Sequence, residues 1–409
     1  MDYRQSSLLE RDEPDLSGIL SPEELAEIER AAEEQFPTAP AEPEVYEYAP
    51  VPRDEEYEEE ACEETPAPVK KPREKRKVGI FGIIARVLSF VLATVIIILA
   101  GALGVVYIMS KGPSESATEL FVLSLRETSA AGFVTEIFLD DEEIAAIEEA
   151  NKPDDILENV DTSLITIATR TENSQSGDAA DTVPLEILDV SGATFKGKMM
   201  IVSDPERVIV GVSNQLGAAG QILVDMIDSY GGVGGTNAGG FDDPNGTGNG
   251  GIPLGVVIHE GKLLYGANTR AATAVIDYDG ILHVGNMTGS EAMELNAEWA
   301  VSFGPVLVVN GEKCDGLSSG LNPRTAIGQR SDGAILLLVI NGRQVGSMGA
   351  TYEDVADVML SYGAVNALNL DGGSSSTMLY EGEFLNISSS LVGQRPLPTG
   401  IIVLDEEAD

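Results

Sequence analysis

The segment Asn369 to Thr377, NLDGGSSST, sets a carboxylate, two glycines and four hydroxyls in succession. The apolar run Val365 to Leu370 precedes it, so Asp371 is expected at a strand end. There Gly372 and Gly373 let main-chain N–H groups approach an anion, and Ser375 and Thr377 add hydroxyl donors. A tight turn uses the same residue types. Two more polar, Gly-rich segments border strand signals, where short side chains converge on ligands. Asn322 to Gly328, NPRTAIG, supplies Arg324, a cationic fork suited to phosphate, beside Thr325. The segment GGTNAGGFDD offers Asn237 as an amide and Asp242 as a carboxylate, and it lacks the GK[ST] ending of a nucleotide-binding loop.

Other chemistries find less support. Cys62 and Cys314 stand on opposite sides of a long hydrophobic segment, so no disulfide, zinc site or cluster is expected, and Cys314 reads as a tolerated loop thiol. His259 and His283, the two histidines, fall in or beside strand patterns and suit structural roles better than catalysis. Asp242, Asp243 and Asn245 lack the spacing of a full calcium loop, so no metal and no cofactor is expected. Three short glycosylation sequons, at Asn245, Asn286 and Asn386, carry little weight.

The elements that must position these residues lie beyond Leu185. Short β-branched runs recur there: Lys198 to Val202, Val208 to Val212, Leu254 to Ile258, Thr273 to Asp277, Val306 to Val309, Ile335 to Ile340, Val365 to Leu370 and Gly400 to Leu404. Two helices interrupt them. One lies near Gly217 to Tyr230. The other is capped by Thr351 with Asp354, stops at Gly363, and carries an apolar stripe of Val355, Val358, Met359 and Tyr362 that should pack on a sheet. The expectation is an α+β fold, a strand-rich mixed sheet domain with few helices, over residues 185–409.

Upstream the composition changes sharply. Val87 to Met109 runs without a charge and is long enough to cross a bilayer. Lys70, Lys71, Arg73, Lys75, Arg76 and Lys77 precede it, which places the N-terminus in the cytoplasm and the C-terminal domain outside. The expected order is a disordered acidic tail with a basic flank (1–77), a single transmembrane helix (78–110), a helical stalk and linker (111–184) and the strand-rich domain (185–409). Thr171 to Asp181 reads as linker. With 67 acidic against 25 basic residues, a net charge of −42 argues against a nucleic-acid partner. Poverty in cysteine suits a bacterial envelope better than a eukaryotic secretory lumen.

The motifs NAGGF, FGPVLVVNGE, NPRTAIG, LDGGSSSTM and RPLPTGIIV occur in the order typical of the phosphodiester glycosidase family, which the chain resembles over residues 186 to 406. It departs from the family pattern at Gly240-Phe241 and at Ser374, which bears on the sugar or aglycone that fits. The resemblance implies hydrolysis of a sugar-1-phosphodiester, with a carbohydrate substrate in an envelope glycan or exopolysaccharide. On that reading Asp371 is nucleophile, base or electrostatic stabiliser, with Asp242 the second carboxylate. Arg324 binds the phosphate, Thr325 and Ser375 donate to it, and Asn237 and Asn369 fix sugar hydroxyls or brace the acids. Two alternatives stay open: a glycan-binding protein without catalysis, and a transferase moving a phosphate-linked glycan, which would need an acceptor.

Overall fold

The computed structural model describes residues 80–128, 131–167, 184–244, 247–390 and 393–406. The expected acidic tail and basic flank, Cys62, the linker Thr171 to Asp181 and Asn245 lie outside the described residues. Six α-helices are described: α1 (Ile80–Lys111), α2 (Glu115–Arg126), α3 (Asp141–Ala150), α4 (Leu223–Ser229), α5 (Gly289–Glu294) and α6 (Tyr352–Ser361). They accompany seventeen strands in three antiparallel sheets of seven, five and five strands. This is the mixed, strand-rich α+β fold expected.

The seven-stranded sheet is the central layer. Its strand Ile335–Ile340 is buried on both faces, because successive side chains point to opposite sides. Leu336, Leu338 and Ile340 join one core with Val355 and Met359 of α6. Ile335, Leu337 and Val339 join the other core, shared with residues of the two smaller sheets such as Ile401 and Val301. Helix α6 starts where expected: the Thr351 hydroxyl accepts from the Asp354 N–H, and the Asp354 carboxylate accepts in return from the Thr351 N–H.

Helix α1 is long and apolar enough to cross a membrane, with Leu88, Phe90 and Ile97 exposed along it. Beyond it α2 and α3 form a small cluster of Val122, Leu139 and Ile144. Tyr107 of α1 meets Phe138 edge to face, and Lys111 pairs with Glu143, which tie the end of α1 to that cluster.

Two histidines hold the fold rather than the chemistry. His259 meets the Val210 carbonyl through Nδ1 at 2.8 Å and packs edge-on against Trp299. His283 is gripped by Asp277 at Nε2 (2.9 Å) and Glu158 at Nδ1 (3.2 Å), joining residue 158 to the sheets. Burial pulls the His283 pKa down, but hydrogen bonds and charge from Asp277 and then Glu158 outweigh it, and the net shift is upward. The stabilisation is thus complete below the unfolded imidazole value of about 6.5 and lost as pH rises through the higher folded value. His283→Gln is expected to remove that pH-dependent part of Tm, as melting curves from pH 5.5 to 8.5 would check.

Candidate active site

Three segments singled out by sequence converge. Strand Ala364–Leu370 pairs with Arg324–Arg330, setting Leu370 opposite Thr325, and the chain leaves the sheet at Asp371. Asp371 N–H donates to the Ala238 carbonyl at 3.0 Å. Asn237, fully buried, ties the three together. Its Nδ2 donates to the Asp371 carbonyl (2.5 Å), while its Oδ1 accepts from the Thr325 hydroxyl (2.9 Å) and the Thr377 N–H (3.0 Å).

After Asp371 the chain turns tightly through a 3-10 turn, Gly373–Ser375. Gly373 has φ +61°, and a Cβ on Gly372 would lie 2.8 Å from the Pro323 carbonyl oxygen, so side chains are disfavoured at both positions. The turn floors a cleft of about 250 Å³ lined by Asp371, Gly372, Gly373, Ser374 and Ser375. Phe241 and Phe303 give it apolar surface, and Arg395 lies over the Phe241 ring at 4.9 Å. Three carboxylates (Glu127, Asp243, Asp371) and three guanidinium groups (Arg324, Arg343, Arg395) also line it.

Two opposite pairs among these six are already made. Arg395 grips Asp243 through two N–H groups at 2.7 Å each, which holds the Asp243 carboxyl below its ordinary value. Arg324 Nη2 donates to Glu127 at 2.7 Å, Gly320 carbonyl at 2.7 Å and Ser319 hydroxyl at 3.2 Å, with the guanidinium stacked 4.0 Å from the Tyr352 ring centre. Among the described residues, Asp371 and Arg343 are left without an ion pair. Burial pushes the Asp371 carboxyl up to about 7, although the Ser375 hydroxyl, the Arg395 charge and the Gly372 N–H stabilise the ionised form. Arg343 stays a cation, its pKa lowered by burial and by Arg324 nearby.

The structure reassigns several expected roles. Asp242 is exposed and outside the cleft, while its neighbour Asp243 lines it. Asn237, Thr325 and Asn369 are fully buried within strands, Thr377 is 8% exposed, and none of the four lines the cleft. Asn369 donates to the Gly304 and Leu370 carbonyls. These side chains brace the floor rather than face a ligand. Arg324 does line the cleft, but with 4% exposure and its Nη2 committed. Gly372, Gly373, Ser375 and Asp371 stand where expected. Sequence reasoning missed Arg343, Tyr352, Glu127 and Arg395. Of these, Arg395 had a signal, since it opens the RPLPTGIIV motif. Cys314 is half-buried and its thiol pushed up to about 11, chiefly by burial, consistent with an unreactive loop cysteine.

Residues 230–404 match the family model described as phosphodiester glycosidase. The SPbeta prophage-derived uncharacterized protein YomE of Bacillus subtilis (strain 168) is 46% identical over 65 residues, covering 16% of this chain and 10% of that protein. The chain thus spans about a tenth of the curated relative it matches. Among solved structures, the zebrafish N-acetylglucosamine-1-phosphodiester alpha-N-acetylglucosaminidase catalytic domain, auto-inhibited by its pro-peptide, aligns with a TM-score of 0.47 and 21% identity, over 55% of this chain and 85% of that one. A hypothetical protein from Synechocystis aligns with a TM-score of 0.39 and 17% identity, over 53% and 61%.

Proposed function

We propose, from the match of residues 230–404 to the phosphodiester glycosidase family model, that the chain is a membrane-anchored hydrolase that cleaves a sugar-1-phosphodiester in an envelope glycan or exopolysaccharide, with Asp371 as its catalytic carboxylate. The carrying observation is that Asp371 and Arg343 line one cleft and are the two opposite charges there without an ion pair. A glycosyl phosphodiester presents an anion and an electrophilic anomeric carbon, which are complementary to such a pair.

In the proposed reaction, the water oxygen attacks the anomeric carbon as the bond from that carbon to the phosphate oxygen breaks. The bonding electrons leave with the phosphate monoester, and Asp371 takes the proton of the attacking water. Phosphate is a good leaving group, so protein charge near it does more than a strong general acid would. Arg343, with the N–H groups and hydroxyls of the Gly372–Ser375 turn, faces that charge, and Phe241 and Phe303 give the sugar ring an apolar wall. Arg324, read from sequence as the phosphate ligand, becomes a wall residue beneath Tyr352. The basic run before α1 supports an N-terminus in the cytoplasm and a catalytic domain outside.

Sugar release from a panel of sugar-1-phosphodiesters and neutral aryl glycosides tests this reading. Arg343→Ala is expected to lower kcat/KM about 100-fold for the phosphodiesters, as loss of charge-assisted bonds implies, and to change the neutral glycosides less than about threefold. Equal losses on both substrate types would rule out a phosphate role for Arg343. Saturable glycan binding without product would favour the non-catalytic alternative.

A further inference from the structure

The cleft is not built by residues 230–404 alone. Helix α2 ends at Arg126; Glu127, which lies far outside the matched region, enters the cleft wall, and Thr128 beside it accepts a hydrogen bond from the lining residue Arg343. Glu127 Oε2 accepts from Arg324 Nη2 at 2.7 Å and from Asn322 Nδ2 at 3.0 Å, and its Oε1 accepts from the Gly320 N–H at 3.0 Å. Arg343 Nη2 donates to the Thr128 hydroxyl at 2.8 Å and to Asn322 Oδ1 at 2.7 Å. Asn322 therefore stands between the acid and the cation. Its NH₂ is spent on Glu127, which leaves its carbonyl oxygen facing Arg343. The flipped amide would set NH₂ against a guanidinium and a carbonyl against a carboxylate.

We infer that Glu127 and Thr128 are positioning residues that fix Asn322 and, with it, aim Arg343 at the phosphate of the substrate. This inference rests on the reading of Arg343 as the phosphate contact. The guanidinium lies 3.5 Å from where a Cβ on Gly373 would sit, so the cation is held over the turn that floors the cleft. Charge supports the same conclusion. Arg324 is 4% exposed and its remaining acceptors, the Ala350 and Gly320 carbonyls and the Ser319 hydroxyl, are neutral. Glu127 is its ionic partner among the described residues, and it lessens the repulsion that Arg343 meets from Arg324.

The arrangement also links the site to the membrane-spanning helix. Three residues, Gly112 to Ser114, and the single helix α2 separate Lys111 from Glu127, a reach of at most about 30 Å.

The test is binding of inorganic phosphate to the full chain in detergent, measured by calorimetry, with KM for a sugar-1-phosphodiester and a neutral aryl glycoside alongside. Thr128→Val removes one acceptor from Arg343 without changing charge. It is expected to weaken phosphate binding about five- to tenfold and to raise KM for the phosphodiester alone, while Thr128→Ser restores both within about twofold. Glu127→Gln is expected to weaken phosphate binding at least as much, with a lower Tm. Unchanged phosphate affinity in both Thr128→Val and Glu127→Gln would overturn the inference. So would equal KM changes for the charged and neutral substrates, or tighter phosphate binding by Glu127→Gln, which would make Glu127 a competing anion. Should the wild type bind phosphate with these differences yet release no sugar, the hydrolase reading would fail and the positioning role would stand.

Discussion

Asp371→Asn is expected to lower kcat for a sugar-1-phosphodiester by about 10³-fold, the loss typical of removing a positioned acid-base group, while leaving the protein folded. The stability side of that expectation follows from the sign of the pKa shift. An unfolded Asp titrates near 3.8 and the folded Asp371 near 7, so between those values the folded state keeps a proton that the unfolded chain has released. Folding is therefore penalised progressively as pH rises through that window. Asn carries no charge to desolvate, so the variant is expected to melt at the same or a higher temperature than the wild type at neutral pH. Activity assays and melting curves on one preparation check both halves. An active variant, or an inactive one with a collapsed Tm, would each count against Asp371 as the catalytic carboxylate.

A different failure is expected at Asn237. Its amide satisfies three buried groups: the Asp371 carbonyl, the Thr325 hydroxyl and the Thr377 N–H. Asn237→Ala leaves them unpaired in a region closed to solvent, and the expected cost is about 3 kcal/mol, or about a 10 °C fall in Tm. Activity should fall as well, because Asn237 ties Asp371, the proposed catalytic carboxylate, to two neighbouring strands. Differential scanning calorimetry of the pair checks the magnitude. A Tm within about 2 °C of the wild type would show that the amide is not bracing the floor.

What could be read before the structure follows physical regularity. Ile335–Ile340 and Val306–Val309 are uninterrupted runs of apolar residues, so their boundaries were legible. Strand Gly232–Asn237 was not, because its glycines mark a polar segment at the border of a strand signal rather than a strand. A Cβ on Gly235 would lie 2.1 Å from the Ile401 carbonyl oxygen, so a glycine there reports close approach of a neighbouring strand. Strand Arg324–Arg330 is hidden for a similar reason, because the polar residues at its start read as a segment bordering a strand. The NLDGGSSST turn was legible because its glycines and hydroxyls are consecutive and follow a strong strand.

Site roles were harder to read, because they depend on contacts distant in sequence. Composition cannot choose between Asp242 and Asp243, yet the exposed residue and the one bonded to Arg395 are adjacent. Asn237, Thr325 and Asn369 look like ligands because they lie in polar segments that border strand signals, but the structure buries them, and the partners of Asn237 and Asn369 are largely backbone. Glu127 and Arg343 carry no local pattern. They matter only because the end of α2 meets the loop around Asn322, nearly two hundred residues later.

Hydrolysis of a glycosyl phosphodiester in this cleft, with Asp371 as the proposed base, should follow the ionisation of that residue. The most direct measurement is kcat/KM for sugar release from a sugar-1-phosphodiester by the full chain between pH 4.5 and 8.5. A phosphodiester has no second acidic proton to titrate in this range, so the profile reports the enzyme. Release is expected to rise with pH and level off above an inflection near 7, where Asp371 becomes ionised. No release, or release already at its plateau at pH 5, would contradict it.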